Sequence, residues 1–148
     1  MSEWPPATAG VTAESIEAYI AEVWPAAAGS TEVLEVSGRH AVVRRRVDPA
    51  SLRPGAMVSG PTQFGMADVA LWYACFGAIG LEAMAVTSEM SIRYLRPCVG
   101  DELFAEAVLD SVGRRTIVGS VRVWTDDRDR PTSVAQGSYV RPSPDGER

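Results

Sequence analysis

The chain has 148 residues, of which 46% are hydrophobic and 22% are charged, as expected for one globular domain with a single core. Its 14 basic and 19 acidic residues give a net charge of −5, which argues against a nucleic-acid binder, since such proteins present a basic face. One histidine and two cysteines suit neither a histidine metal cluster nor a disulfide framework, so no metal or cofactor is expected. The first ten residues lack the basic and apolar start of a signal peptide, and the longest apolar run is too short for a bilayer. We therefore expect a cytoplasmic protein without a membrane partner.

The first predicted element is an amphipathic helix. Thr12 is its expected N-cap, and apolar residues recur at helical spacing from there to Trp24. Two short strands follow, Glu32–Val36 and residues 40–47, and the Ser37-Gly38 pair between them predicts a hairpin.

A second helix is predicted in the most apolar part of the chain. Every residue from 69 to 81 is apolar, aromatic, Gly or Cys, without the strict alternation of a strand. Gly60 suits an N-cap and Pro61 a first helical position, where its missing N–H has no helical partner. The helix is expected to end at Gly77 or Gly80.

Asp68 is the one charged side chain between residues 53 and 82. A carboxylate two turns into a buried helix is costly unless it is hydrogen-bonded, and a chain without use for it would place Ala or Leu there. Asp68 is therefore the main candidate functional residue. The structural alternative is a carboxylate satisfied only by Thr62 or by a backbone group.

Alternating residues return after this helix and predict four successive strands. The first covers residues 85–95, and the next three cover residues 102–109, Thr116–Trp124 and Ser133–Val140. In the first strand, one predicted face carries Ser88, Met90, Ile92 and Tyr94, and the other carries Thr87, Glu89, Ser91 and Arg93.

This order of elements predicts an α+β fold. We expect an antiparallel sheet of about six strands wrapped around one long apolar helix, with an extra N-terminal helix. The whole chain, residues 1–148, forms a single domain in this interpretation, with a loose leader at residues 1–10 and a loose tail at residues 142–148.

Three segments occur in an order and spacing typical of a known family. They are the stretch from Val58-Ser59-Gly60-Pro61 to Ala67-Asp68, then Ser91-Ile92-Arg93-Tyr94-Leu95-Arg96-Pro97, then Gly100-Asp101-Glu102-Leu103. With them, residues 52–139 resemble the hot-dog-fold acyl-CoA thioesterases of the phenylacetate-degradation (PaaI-like) type. In that family a His-Gly-Gly turn starts the long helix, and an acidic residue follows the His by nine positions. The same spacing runs here from Ser59 to Asp68.

The resemblance implies an acyl-CoA thioesterase that hydrolyses a medium-chain or aromatic acyl thioester without a metal or other cofactor. It assigns the catalytic carboxylate, acting as general base or nucleophile, to Asp68. It assigns the backbone N–H that polarises the thioester carbonyl to Gly60, and the hydroxyl that orients water or an intermediate to Thr87. Because sites of this family lie between subunits, Thr87 is expected to face the partner's Asp68.

Two positions depart from the family pattern. The family's His is Ser59 here, and the Asn that it often carries six residues earlier is Arg53. Ser59 can cap the helix or hold a water molecule, and Arg53 can pair with Asp68. We assign Ser59, Arg53 and Pro61 to substrate binding.

These departures keep a second function open, a non-catalytic acyl-CoA-binding or scaffold protein of the same fold. A hot-dog dehydratase or hydratase fits poorly, because that chemistry uses a catalytic His and His40 lies well before the long helix. Trp72, Tyr73 and Phe76 are assigned to the core rather than to an acyl pocket.

The expected assembly is a homodimer joined edge to edge through the strand at residues 85–95, doubled to a homotetramer. An unpaired strand edge of this length invites pairing with a second copy.

Overall fold

The computed structural model describes residues 3–143, so residues 144–148 of the expected loose tail lie outside the described part. Its elements, in chain order, are helix α1 (Ala13–Val23), strands β1 (Glu32–Val36), β2 (His40–Arg46), β3 (Leu52–Arg53) and β4 (Met57–Val58), helix α2 (Gly60–Ile79), and strands β5 (Val86–Tyr94), β6 (Glu102–Val112), β7 (Thr116–Trp124) and β8 (Ser133–Val140). Single turns of 3₁₀-helix occur at Pro25–Ala27 and Pro49–Ser51. The short β3–β4 pair was not predicted, and β6 continues three residues past its predicted end.

The main sheet has six strands in the order β1-β2-β6-β7-β8-β5, and each neighbouring pair is antiparallel. Helix α2 packs across one face of this sheet, and α1 packs near β1. The predicted α+β class, the number of strands and the extra N-terminal helix are confirmed. Strand β5 lies at one edge, with β8 as its single neighbour in the sheet.

Helix α2 is buried because apolar residues surround its axis on nearly every side. Ten of its 20 residues are buried, among them Leu71 and Phe76, which are fully enclosed. Gly77 makes a very close approach to the rest of the chain, since a Cβ atom there would lie 1.8 Å from the carbonyl oxygen of Ser37. The helix therefore meets the β1–β2 hairpin backbone to backbone.

The two ends of α2 show how local chemistry sets its limits. Ser59, not Gly60, is the N-cap, because its hydroxyl accepts a hydrogen bond from the backbone N–H of Thr62. The predicted start is thus wrong by one residue, and Pro61 occupies the second helical position. At the other end, Gly80 is the C-cap with φ of 96°, a conformation that glycine adopts without a steric penalty.

The leader was expected to be loose, but its described part is held against the core by hydrogen bonds. The backbone N–H and the hydroxyl of Thr8 both donate to the carbonyl of Gly77, at 2.8 and 3.1 Å. The N–H of Gly38 donates to the carbonyl of Pro5 at 2.8 Å.

Neither helix within residues 3–143 combines the length and the apolar character that crossing a membrane requires.

Candidate active site

Two hydroxyl groups converge on Asp68, which is half-buried in the third turn of α2. Thr87 Oγ1 donates to Asp68 Oδ1 at 2.8 Å, and Tyr139 Oη donates to the same oxygen at 2.5 Å. Tyr139 Oη also lies 3.0 Å from the main-chain carbonyl oxygen of Asp68. Within residues 3–143, Oδ2 accepts no hydrogen bond. The carboxylate is therefore held through one of its two oxygens.

The structural alternative, a hydrogen bond from Thr62 to the Asp68 carboxylate, is not present in the structure. The Thr62 hydroxyl pairs instead with the hydroxyl of Ser59, at 2.8 Å, inside the N-terminal cap of the helix.

Thr87 reaches Asp68 because of a β-bulge in β5. Thr87 pairs with Tyr139 of β8 and Met90 pairs with Gly137, with the irregularity between Thr87 and Glu89. The extra residue reverses the alternation, so Thr87 shares the inner face with Met90. The regular alternation predicted from the sequence, which placed Thr87 with Glu89, is wrong at this point.

The contact between Thr87 and Asp68 also corrects the expected division of the site between subunits. The two side chains meet within one chain, at 2.8 Å. The expectation that Thr87 faces the partner's Asp68 is therefore wrong.

Gly60 lies at the N-terminus of α2, away from this carboxylate. It precedes Asp68 by eight residues, which is about 12 Å along the axis at 1.5 Å per residue. Its carbonyl accepts a hydrogen bond from Tyr94 Oη at 2.9 Å, whereas its N–H makes no hydrogen bond in the described part of the chain. Pro61, beside it, is exposed. One chain cannot bring the Gly60 N–H and the Asp68 carboxylate to the same carbonyl group.

Arg53 does not pair with Asp68 within the chain, contrary to the option raised from the sequence. It is exposed in β3, and its Nε donates to the carbonyl of Pro54 at 3.3 Å. Ser59 is occupied in the helix cap described above.

A cavity of about 620 Å³ opens beside Asp68. Its polar side chains are those of Asp68, Thr87 and Tyr139, and the rest of its lining is apolar: Val23, Trp24, Gly65, Val69, Trp72, Ala83, Ala85 and Val86. None of the described residues that line it is basic. The cavity beside the Asp68 carboxylate is thus suited to an uncharged, apolar group.

Aromatic residues form part of the wall of this cavity. Trp24, at the end of α1, is 54% exposed and meets Trp72 of α2 edge to face, with ring centroids 6.3 Å apart. Tyr73 and Phe76 are buried in the core, as predicted, but Trp72 is half-buried and lines the cavity. The core assignment of Trp72 is therefore only part of its role.

The phenol of Tyr139 and the thiol of Cys75 stay in their neutral forms beside Asp68. Burial, and then the charge of Asp68, raise the pKa of Tyr139 far above its ordinary value, so its phenol remains a hydrogen-bond donor. Burial also raises the pKa of the Cys75 thiol to about 12, with a smaller contribution from Asp68, so this thiol is unreactive.

A second cavity, of about 520 Å³, lies on the sheet face away from α2 and is lined in part by Arg93, Arg122 and Glu106. Glu106 is bonded to His40 at 2.8 Å and to Arg128. Burial acts to raise the pKa of Glu106, but these two partners outweigh it and hold the pKa below the ordinary value. The ion pairs account for His40 structurally and place it outside the Asp68 site.

The sequence interpretation missed Tyr139. It lies in a predicted strand, but the residues next to it in the sequence do not distinguish it from a tyrosine that only packs in the core. The feature that connects Tyr139 to the site is its pairing with Thr87 across β5 and β8. That pairing joins residues far apart in the chain, so a single segment does not reveal it. Within residues 3–143, no three His, Cys, Asp or Glu side chains are grouped so as to hold a metal ion.

Comparison with known proteins agrees with this architecture. A solved structure of a candidate thioesterase from Silicibacter sp. TM1040 is 27% identical and covers 97% of this chain and 100% of its own, with a TM-score of 0.83. The PaaI protein of the Escherichia coli phenylacetic acid degradation operon is 23% identical over 88% of this chain and 94% of its own, with a TM-score of 0.75. Zebra fish thioesterase superfamily member 2 is 15% identical over 88% and 99%, also with a TM-score of 0.75. No curated protein matches the chain.

A family model described as the thioesterase superfamily matches residues 55–132, a segment that contains Gly60, Asp68 and Thr87 but not Trp24 or Tyr139. This match and the shared architecture show that the chain belongs to the thioesterase superfamily and has the hot-dog fold of its thioesterases.

Proposed function

We propose that the protein hydrolyses acyl-CoA thioesters, with Asp68 as the general base or the nucleophile. The observation that carries this proposal is the Asp68 carboxylate, which lines a largely apolar cavity, is held through Oδ1 by two hydroxyls, and has no hydrogen bond to Oδ2 within residues 3–143. In the overall reaction the C–S bond breaks, the hydroxyl of water joins the acyl carbon, and the proton goes to the CoA sulfur. Asp68 Oδ2 either takes the proton from the attacking water or attacks the carbonyl carbon itself.

The oxyanion donor of this proposal is the backbone N–H of Gly60. A helix N-terminus has N–H groups without helical partners and the positive end of the helix dipole, both of which stabilise a developing negative charge. Since Gly60 and Asp68 are about 12 Å apart in one chain, the donor at each site belongs to one protomer and the carboxylate is the partner's Asp68. Each site therefore needs a dimer.

The free edge of β5 supports this assembly. This strand of nine residues has a sheet neighbour on one side, and apolar side chains around it are exposed, with Val86 at 51% and Leu95 at 48%. Pairing of two β5 edges covers these groups and completes the backbone hydrogen bonds. We propose a homodimer joined through β5, with a homotetramer as its doubled form. A monomer at micromolar concentration in light scattering would contradict both the dimer and the shared site.

The acyl group of this proposal is uncharged, and medium-chain and aromatic groups both suit the cavity. The cavity has a largely apolar lining that includes a carboxylate and, among residues 3–143, no basic side chain. A negatively charged acyl group would be repelled by Asp68 and find no cation to pair with there. Arg53 and Ser59, near the start of α2, would contact the substrate on the Gly60 side of the site.

Asp68→Asn tests the proposal, because it keeps the shape of the side chain and removes its charge. Loss of a general base costs about 10²–10⁴-fold in rate, so we expect kcat on the best acyl-CoA of a panel to fall at least about 100-fold. Asp110→Asn is the matched control, since the carboxylate of Asp110 also accepts a hydroxyl hydrogen bond, from Ser120 at 2.6 Å, away from the cavity. Unchanged turnover in Asp68→Asn would refute the assignment. A parent protein that binds acyl-CoA and hydrolyses none would favour the non-catalytic alternative.

A further inference from the structure

Tyr139 makes the closest contact with the Asp68 side chain, and it lies outside the segment that the family model matches. Its phenol reaches both the carboxylate Oδ1 and the main-chain carbonyl of Asp68. A group that contacts the side chain and the backbone of one residue restricts the rotation of that side chain.

The two hydroxyls on Oδ1 come from neighbouring strands at directly opposed positions. Thr87 of β5 and Tyr139 of β8 are cross-strand partners, and the bulge after Thr87 turns its hydroxyl toward α2. Each hydroxyl has one proton to donate, and both are directed to the same oxygen. The arrangement leaves Oδ2 without a hydrogen bond in the described part of the chain, on a side chain that lines the cavity.

Tyr139 is a neutral hydrogen-bond donor at ordinary pH. It is 3% exposed, and burial together with the charge of Asp68 keeps the phenol neutral. In this neutral form its hydroxyl donates a hydrogen bond to the Asp68 carboxylate.

We infer that Tyr139 is the positioning residue of the site: with Thr87 it fixes Asp68 Oδ1 so that Oδ2 is the oxygen that reacts. This inference rests on the proposed function, and it adds the reason why Oδ2 and not Oδ1 is the reacting oxygen: both hydroxyls hold Oδ1. Tyr139 acts through Asp68 and does not touch the substrate carbonyl.

Tyr139→Phe tests the inference by removing the hydroxyl while keeping the ring. A catalytic group that loses its alignment costs about 10- to 100-fold in rate, so kcat should fall by that factor while KM stays within about threefold. Thr87→Val should show the same split between kcat and KM, and Thr87→Ser, which keeps a hydroxyl, should retain most of the activity.

Tyr73→Phe is the matched control, since Tyr73 is a buried tyrosine of α2 that makes no hydrogen bond to Asp68. Its kcat should stay within about threefold of the parent. The change removes a buried tyrosine hydroxyl, as Tyr139→Phe does, but this hydroxyl does not contact Asp68. A kcat for Tyr139→Phe within threefold of the parent, or a rise in KM that accounts for the whole loss, would overturn the inference.

Crystal structures of the parent and of Tyr139→Phe give a second readout that does not depend on turnover. The Asp68 carboxylate should keep one orientation in the parent and rotate, or occupy several orientations, in the variant. An unchanged carboxylate in Tyr139→Phe would overturn the inference even in an active enzyme. A parent that hydrolyses no acyl-CoA would refute the proposed function, while these structures would still decide the role of Tyr139.

Discussion

Gly77→Ala should destabilise the protein, although alanine is the better residue inside a helix. In the parent, α2 meets the β1–β2 hairpin at Gly77, where an added Cβ would lie 1.8 Å from the carbonyl oxygen of Ser37 and 3.1 Å from Cγ2 of Val36. The first contact is with backbone, so the helix or the hairpin has to move by more than 1 Å to relieve it. That movement also strains the two hydrogen bonds from Thr8 to the Gly77 carbonyl.

The expected magnitude follows from two opposing effects. Replacing glycine by alanine within a helix contributes about 1 kcal/mol of stability, whereas overpacking a close contact costs about 1–3 kcal/mol. A clash with backbone takes the upper end of that range, so we expect a net loss of about 2 kcal/mol. For a chain of this length the melting temperature would fall by about 4–8 °C.

Urea unfolding followed by tryptophan fluorescence measures this loss, at one fixed protomer concentration because association adds to apparent stability. Gly65→Ala is the control, since it makes the same change in the same helix and its Cβ would meet nothing within 4 Å. That variant should gain about 0.5–1 kcal/mol. A Gly77→Ala protein as stable as the parent, or two variants that shift in the same direction, would refute the packing argument.

Three further predictions concern the cavity wall, the ion pairs and the helix N-terminus. Trp24→Ala removes an exposed ring from the cavity wall and should lower kcat/KM about tenfold for bulky uncharged acyl-CoAs but little for acetyl-CoA; an equal loss for both substrates would contradict this. The folded pKa of Glu106 is below its ordinary value of 4.5, so its contribution to stability is complete above pH 4.5 and is lost as the pH falls through the folded pKa. Glu106→Gln should therefore lower the unfolding free energy most at neutral pH, with a difference from the parent that shrinks below pH 4.5; a difference independent of pH would contradict the assignment. Arg53→Asn and Ser59→His should each lower turnover if these residues replace the family's Asn and His. An inactive parent with hydrolysis gained in the double variant would show instead that the site has lost catalysis.

Patterns within single segments are enough to predict the architecture and to single out Asp68 as the centre of the candidate site. The apolar run after residue 68 has no period-2 pattern and is long for a strand, so it predicts a helix buried on nearly all sides. The four alternating segments that follow it require an antiparallel sheet, since no helices separate them. Asp68 was identified because a lone carboxylate in such a helix has a high desolvation cost. These are local or compositional properties, which neighbouring residues are enough to establish.

Only the tertiary structure decided which groups meet Asp68. One extra residue in β5 decides which face of the sheet carries the Thr87 side chain, because a shift of one residue turns a strand side chain to the opposite face. Tyr139 reaches Asp68 from the last strand, which lies beside β5 only because the sheet order is not the chain order. The separation of Gly60 from the carboxylate follows from the helical rise, and for this reason the proposed site takes these two groups from two copies of the chain. Sequence patterns report the period of a segment, whereas register, bulges and pairing between distant strands arise from contacts that a single segment does not contain.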